Sequence, residues 1–287
     1  VMQDHQVTWL LPVLDAMPHL RETLASMAGQ SWHLHHVIAW DNGSTDGSVE
    51  ELRRWIPHRL PGRIVTDRPM GLGASLAAMV ELAATELCAR IDGDDVNEPN
   101  RLRDQVERMA DQPRLGVVGT QTLRIDKAGE PLDEQPDLPT DDAEVRWRLR
   151  FCNAFAHPSV MFRRSMVLAA GGYRDIKPSQ DYDLWTRMVG RCEMANLPDR
   201  LVRYRMHERS VCAKREQSSA ETQRAIAARN AESLLPGVDA DAALELRDLL
   251  LARHNRLVQW SDLRLLGRLA TAAAEQIGRP AGYFRRT

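Results

Sequence analysis

The sequence predicts an α/β protein in which a mostly parallel sheet is flanked by helices and followed by a helical C-terminal appendage. In the first half of the chain, short apolar runs alternate with segments of helical spacing. The apolar runs have no polar face, which is typical of parallel strands that helices cover on both sides. From about Ser218 onward the pattern is helical and rich in Arg, Ala and Leu.

The first half is predicted to contain four strands and four helices in alternation. The strands are expected at residues 7–13, 36–40, 63–66 and 88–91, and the helices at residues 20–28, 49–55, 72–82 and 102–109. The second half is less regular. It is expected to contain strands at 117–120, 160–162 and 201–204, a loop at 126–142, and a helix at 181–189 that opens with acidic residues.

Composition excludes several classes of protein. The net charge of −2 lacks the basic balance of a nucleic-acid-binding protein, so no nucleic acid partner is expected. No apolar run reaches the roughly eighteen residues of a membrane span, and the first residues do not resemble a secretory signal. The four cysteines form no C-x-x-C pair, which favours free thiols over a zinc site or disulfides. These features together predict a cytoplasmic protein.

Polar clusters follow three of the predicted strands. Residues 12–15 end the first strand, a turn beginning at Asp41 ends the second, and a turn beginning at Asp92 ends the fourth. Ligands of open α/β sheets bind beyond the carboxyl ends of the strands. We therefore expect the three clusters to converge on one edge of the sheet.

The turn Asp92-Gly93-Asp94-Asp95 places three carboxylates within four residues. A divalent cation would remove their mutual repulsion, and Mg²⁺ or Mn²⁺ prefers such oxygen ligands together with phosphate oxygens. Gly93 permits a tight turn and a close approach by a ligand. An acidic turn that caps the next helix explains the same residues, so both interpretations stay open at this point.

Five other residues are candidates for chemistry. Asp41 and Asn42 open a stretch of turn-forming residues, but a carboxylate and an amide there can also hydrogen-bond a nucleobase. Asp181 at a helix start is either a cap or a general base. His157 and His207 are single histidines, and such residues are more often structural than ligands.

Taken in order, the motifs resemble family 2 glycosyltransferases of the GT-A fold. The resemblance runs from about Val7 to about Lys214. It is carried by V-T-W-L-L-P-V, S-M-A-G-Q-S-W, D-N-G-S-T-D-G-S, G-L-G-A-S-L, R-I-D-G-D-D-V-N-E-P-N-R-L, H-P-S-V-M-F-R-R-S, G-G-Y-R-D, Q-D-Y-D-L-W-T-R-M and Y-R-M-H. It implies a catalytic domain at residues 1–215, with a nucleotide-binding half at about 1–115 and an acceptor-binding half at 116–215, and a helical extension at 216–287.

The resemblance also implies a role for individual residues. Asp181 matches the catalytic base, and Asp94, Asp95 and His207 match metal-binding positions. The residues implied to bind the nucleotide sugar are Pro12, Val13, Asp15, Asp41, Asn42, Gly71, Asp92, Gly93 and Asp94. The residues implied to border the acceptor are His157, Gly172 and Tyr173.

The implied reaction is inverting transfer of a sugar from a nucleotide-diphosphate donor, with a UDP-sugar favoured, to a hydroxyl group of a saccharide or lipid-linked acceptor. Mn²⁺ or Mg²⁺ would be the cofactor, and cell-surface polysaccharide or glycolipid synthesis the setting. The C-terminal helices are expected to pack an apolar stripe on the catalytic domain. A peripheral contact with the inner face of the plasma membrane, or a homodimer through these helices, is the alternative.

The chain departs from the family pattern at three positions, and other functions compete with the one that the resemblance implies. The chain has Asn42, Ala77 and Gln180 where the family often has Asp, Asn and Glu.

A nucleotidyltransferase is disfavoured, because no glycine-rich basic loop follows the first strand. A dehydrogenase is disfavoured because G-x-G-x-x-G is missing there. A non-catalytic nucleotide-sugar-binding module stays an alternative, although the acids of the metal and base positions are all present.

Overall fold

A computed structural model describes residues 6–133, 136–176, 178–206, 216–250 and 259–276, and it confirms the α/β architecture. Eight strands form one sheet. The strands are β1 (Val7–Val13), β2 (His35–Asp41), β3 (Gly62–Val65), β4 (Leu87–Arg90), β5 (Val96–Asn97), β6 (Leu115–Ile125), β7 (Met161–Arg163) and β8 (Glu193–Arg205). The helices are α1 (Leu20–Ala28), α2 (Ser48–Trp55), α3 (Leu72–Leu82), α4 (Arg101–Asp111), α5 (Asp142–Arg148), α6 (Arg164–Ala169), α7 (Gln180–Met188), α8 (Glu216–Leu234), α9 (Ala240–Leu250) and α10 (Trp260–Gln276).

The strand order is β3-β2-β1-β4-β7-β6-β8-β5. The first four strands in this order are parallel to one another, and β6 is parallel to β8. Strand β7 runs antiparallel to both of its neighbours, and β5 runs antiparallel to β8. The sheet is therefore mostly parallel, as predicted, with antiparallel insertions contributed by the second half of the chain.

Helices cover both faces of the sheet, which explains why its central strands are mostly apolar. Every residue of β1 is buried. On one face, Trp9 and Leu11 pack with the apolar sides of α1 and α4. On the other face, Leu10 packs with α3 and α7. Because successive side chains of a strand point to opposite faces, a strand buried on both sides has no solvent-facing positions, and its one polar residue, Thr8, is hydrogen-bonded to Thr85.

Strands β6 and β8 are longer than predicted. The expected strands at 117–120 and 201–204 cover only part of each, and polar residues such as Gln121, Arg124, Asp199 and Arg200 interrupt the apolar pattern of the remainder. Pairing in parallel register skips Pro198 and Asp199, because Thr120 pairs with Leu197 and Gln121 with Arg200. A bulge at this point accommodates a proline that a regular ladder would exclude.

The three C-terminal helices pack on the rest of the molecule, as expected for an apolar stripe. Leu234, Leu246 and Leu269 form a small core with Phe151, which follows α5. No helix in the described ranges combines the length and the apolar character that crossing a membrane requires.

Polar contacts add to this packing. Buried Asp183 of α7 accepts from Arg187 on its own helix at 2.8 Å and from Arg229 on α8 at 3.0 Å. The guanidinium of Arg247 on α9 donates to the carbonyl oxygen of Phe151 at 2.7 Å. The C-terminal helices are therefore joined to α7 and to the segment after α5 by buried charge as well as by apolar contact.

A partly buried histidine makes the stability of this sheet dependent on pH. Burial, reinforced by neighbouring His33 and His36, lowers the pKa of His35 at the start of β2 from 6.5 to about 4. Its ring lies edge-on to Trp9, and its Nδ1 has no hydrogen-bond partner among the described residues. Its neutral form is therefore the one that suits the fold. The unfolded chain takes up this proton first, so the contribution of His35 to stability is fully present above pH 6.5 and is lost as the pH falls towards about 4.

We predict that His35→Phe flattens the fall in the free energy of unfolding between pH 6.5 and pH 4, where one proton accounts for at most about 1.4 kcal/mol per pH unit. Urea unfolding at several pH values measures this slope. Exposed His58 is the control, since His58→Phe should leave the slope as it is in the wild type. An unchanged slope in His35→Phe would contradict the prediction.

Candidate active site

The polar clusters predicted from the sequence converge at one edge of the sheet. Parallel register pairs Val13 with Asp41 and Leu10 with Arg90, so β1, β2 and β4 all end on the same side. The loop after β1 is tied to the loop after β2: the Asp15 backbone N–H donates to Ser44 Oγ at 2.9 Å, and Asp15 Oδ1 accepts from the Thr45 backbone N–H at 2.8 Å. Asp15 adopts a positive φ of 48°, which its place in this tight loop requires.

Asp41 and Asn42 hold the loops that surround them. The carboxylate of Asp41 accepts from the backbone N–H groups of Gly43 and Ser44, as the turn interpretation predicts. Asn42 Oδ1 accepts from the Met70 backbone N–H at 3.2 Å, next to Gly71, the residue that precedes α3. The two residues thus join the turn after β2 to the start of α3, and their contact with a nucleobase stays a prediction.

The acidic turn after β4 brings its carboxylates together. One oxygen each from Asp92, Asp94 and Asp95 lies within 4.8 Å of the other two. Asp95 is fully buried, and its Oδ1 accepts from the Arg205 backbone N–H at 2.8 Å. Burial, followed by the charges of Asp94 and Asp92, raises the pKa of Asp95 well above its usual range. The turn is therefore a partly buried cluster of three carboxyl groups, with Asp95 at its buried end.

These residues fit a hard divalent cation. Asp95 Oδ2 is buried and has no hydrogen-bond partner within the described parts of the chain, so a strong acceptor is available beside two other carboxylates. Oxygen donors of this kind suit Mg²⁺ and Mn²⁺. Gly93 brings the turn against the loop after β1, since a Cβ at this position would lie 2.9 Å from the Cβ of Ala16. The cap interpretation has no support here, because α4 begins six residues after Asp95.

Arg205 at the end of β8 supports the acidic turn, and sequence reasoning did not single it out. Its side chain is buried, and its Nε donates to the Asp94 carbonyl oxygen at 2.9 Å. Its guanidinium also reaches Glu22 of α1 at 2.5 Å. The only signal in the sequence is a charged residue at the end of a predicted strand, which is too common to identify a role.

Arg90 is a second residue that the sequence did not identify. It lies in β4, is 2% exposed, and pairs with Asp92 through two nitrogens, one of them at 2.7 Å. An arginine within the apolar run L-C-A-R-I needs a buried anion as its partner. Its position in that run is the feature of the sequence that could have identified Arg90. Arg90 offsets part of the negative charge of the cluster.

Asp181 lies in the first turn of α7, as predicted, and shares the site with the acidic turn. Burial raises the pKa of Asp181, whereas hydrogen bonds from the Tyr182 backbone and from Asn153, and the charge of Arg90, oppose the increase. Burial together with the charges of Asp94 and Asp181 also raises the pKa of Asp92, against the effect of Arg90. Asp181 is therefore within electrostatic reach of the acidic turn.

The residues expected beside the acceptor form a compact group. His157 Nε2 and Tyr173 Oη are 3.0 Å apart, and both rings pack against Trp185 of α7. Burial and the charge of Arg90 hold the pKa of His157 well below its usual range, so the ring is neutral. Gly172 has a φ of 62° and its carbonyl accepts from Arg187 at 2.7 Å. The predicted acceptor role of the group stays a prediction.

The predicted metal ligand His207 lies outside the described residues.

Comparison with known proteins identifies the family. The model of Glycosyl transferase family 2 matches residues 8–168. WbnJ of Escherichia coli, an O-antigen biosynthesis glycosyltransferase, is 38% identical over 195 residues, which cover 66% of this chain and 74% of WbnJ. The chain belongs to glycosyl transferase family 2. It is therefore an enzyme of the glycosyltransferase class, as the sequence motifs indicated.

Solved structures confirm the GT-A fold of this family 2 glycosyltransferase. TarS of S. aureus, in complex with UDP-GlcNAc, superposes with a TM-score of 0.67 at 15% identity, covering 95% of this chain and 82% of that chain. The mannosyltransferase PcManGT from Pyrobaculum calidifontis, in complex with GDP-Man and Mn²⁺, superposes with a TM-score of 0.61 at 18% identity, covering 96% and 82%. At these identities the likeness establishes the fold.

We predict that Arg205→Met lowers the free energy of unfolding by about 1–3 kcal/mol, because the Asp94 carbonyl and Glu22 lose a buried charged donor. Chemical denaturation measures the loss. The neighbouring Arg203 is the control: its pair with Glu98 is largely exposed, so Arg203→Met should cost less than about 1 kcal/mol. Equal losses in the two variants would show that the Arg205 contacts do not stabilise the turn.

Proposed function

We propose that this family 2 glycosyltransferase transfers a sugar, with inversion, from a nucleotide-diphosphate donor to a hydroxyl group of the acceptor. The observation that carries the proposal is the arrangement at the sheet edge. A partly buried cluster of three carboxylates at the end of β4 lies within electrostatic reach of a fourth, Asp181, at the start of α7. The cluster suits a cation and a diphosphate, and the separate carboxylate suits a general base.

The donor would lie along the carboxyl ends of β1, β2 and β4. Its base and ribose would contact the loops after β1 and β2, and its diphosphate would lie beside the acidic turn. A UDP-sugar is the favoured donor, and the complex of TarS with UDP-GlcNAc supports this choice. The residues proposed to bind the donor are Pro12, Val13, Asp15, Asp41, Asn42, Gly71, Asp92, Gly93 and Asp94.

Asp94 and Asp95 would hold Mn²⁺ or Mg²⁺, and the complex of PcManGT with Mn²⁺ supports this assignment. When bound, such a cation would supply Lewis-acid stabilisation of the charge on the departing diphosphate. Arg90 keeps the neighbouring carboxylate of Asp92 paired and in place. The protein thus positions fixed charge where the leaving group requires it.

Asp181 would act on the acceptor. Its carboxylate takes the proton of the acceptor hydroxyl while that oxygen forms a bond to the anomeric carbon. The bond from the anomeric carbon to the diphosphate breaks on the opposite face, and the nucleoside diphosphate leaves. The raised pKa of Asp181 makes it a better proton acceptor than an exposed carboxylate. The acceptor would be a saccharide or a lipid-linked saccharide, approaching past His157, Gly172 and Tyr173, and the O-antigen role of WbnJ supports this class.

We predict that Asp181→Asn lowers the rate of sugar transfer by about a hundred- to ten-thousand-fold, the range that general base catalysis contributes. Binding of UDP in the presence of Mn²⁺, measured by calorimetry, should stay within about twofold of the wild type, since this side chain would not contact the nucleotide. Asp199→Asn, at an exposed bulge of β8, is the control and should leave transfer unchanged. Full activity in Asp181→Asn would disprove the base assignment.

We predict that Asp94→Ala abolishes the dependence of nucleotide binding on the cation. Calorimetric titration with UDP and with GDP, each with and without Mn²⁺, measures this dependence directly. The matched control is Asp111→Ala at the exposed end of α4, which should bind as the wild type does. An Asp94→Ala variant whose affinity still rises on addition of Mn²⁺ would remove Asp94 from the metal site.

A further inference from the structure

The amide of Asn153 lies against the carboxylate of Asp181. Asn153 Nδ2 donates to Asp181 Oδ2 at 2.5 Å, and Asn153 is half-buried. Asn153 belongs to the segment that connects α5 to the short turn His157–Ser159, so it comes from a different part of the chain than α7. A hydrogen bond between such distant segments fixes the relative position of the two side chains.

The orientation of this amide is set by its other end. The backbone N–H of Phe155 donates to Asn153 Oδ1 at 3.2 Å. A backbone N–H is only a donor, so the oxygen of the Asn153 side chain must face Phe155 and the NH₂ group must face Asp181. The amide is therefore held with its donor side towards the carboxylate.

The backbone around Asn153 is anchored at several points. The Leu149 carbonyl oxygen accepts from Tyr182 Oη at 3.1 Å and from Asn230 Nδ2 at 3.0 Å. The Phe151 carbonyl oxygen accepts from Arg247 at 2.7 Å. These donors lie on α7, α8 and α9, so the segment does not depend on any single contact for its position.

We propose that Asn153 is a positioning residue for sugar transfer, which holds the carboxylate of Asp181 in one orientation for proton transfer from the acceptor. This inference rests on the proposed role of Asp181 as general base. The Asp181 carboxylate also accepts from the backbone N–H of Tyr182, on its own helix, and the Asn153 amide adds a donor from a separate, fixed segment. Two donors on different segments hold both the place and the rotation of the carboxylate, and misplacement by about 1 Å costs on the order of a hundredfold in rate.

Two substitutions separate positioning from a purely structural role. Asn153→Asp keeps an oxygen for the Phe155 N–H but replaces the donor with an anion that repels Asp181. Asn153→Ala removes both contacts. If Asn153 only supported its own turn, Asn153→Asp would behave as the wild type.

The experiment measures kcat for sugar transfer, UDP binding with Mn²⁺ by calorimetry, and the melting temperature of the full chain. We expect kcat to fall by about tenfold to a hundredfold in Asn153→Ala and by at least as much in Asn153→Asp. UDP affinity should stay within about twofold in both, and the melting temperature records how much stability the second carboxylate beside Asp181 costs in Asn153→Asp. The matched control, Asn230→Ala, removes one amide donor from the same segment without touching Asp181 and should keep kcat within about twofold.

Three results would overturn the proposal. The first is wild-type kcat in Asn153→Asp, whatever the behaviour of Asn153→Ala. The second is a fall in kcat in Asn230→Ala as large as in the Asn153 variants, because general loosening of the segment would then explain both. The third is full activity in Asp181→Asn, which would remove the base that Asn153 is proposed to position. Inactive Asp181→Asn with fully active Asn153 variants would refute the positioning alone and leave the base assignment intact.

Discussion

Repulsion among carboxylates at one edge of the sheet is the constraint on which the arrangement of this molecule depends. Asp92, Asp94 and Asp95 lie together in a turn where burial already disfavours negative charge. Arg90 approaches from β4 and Arg205 from the end of β8. Both arginines are buried, so their charges act through a medium that screens little. The protein offsets part of the repulsion with these two arginines, and the proposed divalent cation would neutralise the remainder.

The sheet topology explains how the compensating charges reach the turn. The parallel strands β1, β2 and β4 bring the loops of the first half to a common edge. Arg205 comes from β8, more than a hundred residues later, and reaches the same edge because β5 pairs with β8 directly after the acidic turn. Two backbone elements distant in sequence thus complete one site.

The parts of the fold that could be predicted from the sequence are those with a local signal. The apolar run of β1 and the helical spacing of α3 were assigned with the bounds that the structure shows. The acidic turn and Asp181 were singled out because carboxylates at strand and helix ends are candidates for chemistry, whereas their particular roles were implied only by the resemblance to family 2 glycosyltransferases. Residues that act through long-range contacts give no such local signal. Arg90, Arg205 and Asn153 acquire their roles only when folding brings them to a carboxylate.

The lengths of β6 and β8 likewise could not be predicted from local sequence alone. Pro198 within β8 breaks the alternation that identifies a strand, and only its partner β6 reveals that pairing resumes beyond it. The expected contact of Asp41 and Asn42 with a base illustrates a related difficulty. Their side chains already hydrogen-bond the neighbouring loops, so the same residues would have to form the turn and contact the ligand.

The ion pair between Arg229 of α8 and buried Asp183 of α7 limits how this enzyme can diverge. Asp183 lies two residues from Asp181 and is closed off from solvent, so it needs a cation from the C-terminal helices as well as from its own helix. A recombination event that exchanged these helices for those of a relative would have to import an equivalent arginine or lose Asp183 at the same time. The C-terminal helices and α7 are therefore linked by a charge pair that would have to be kept or lost on both sides together, even though they are separate in sequence.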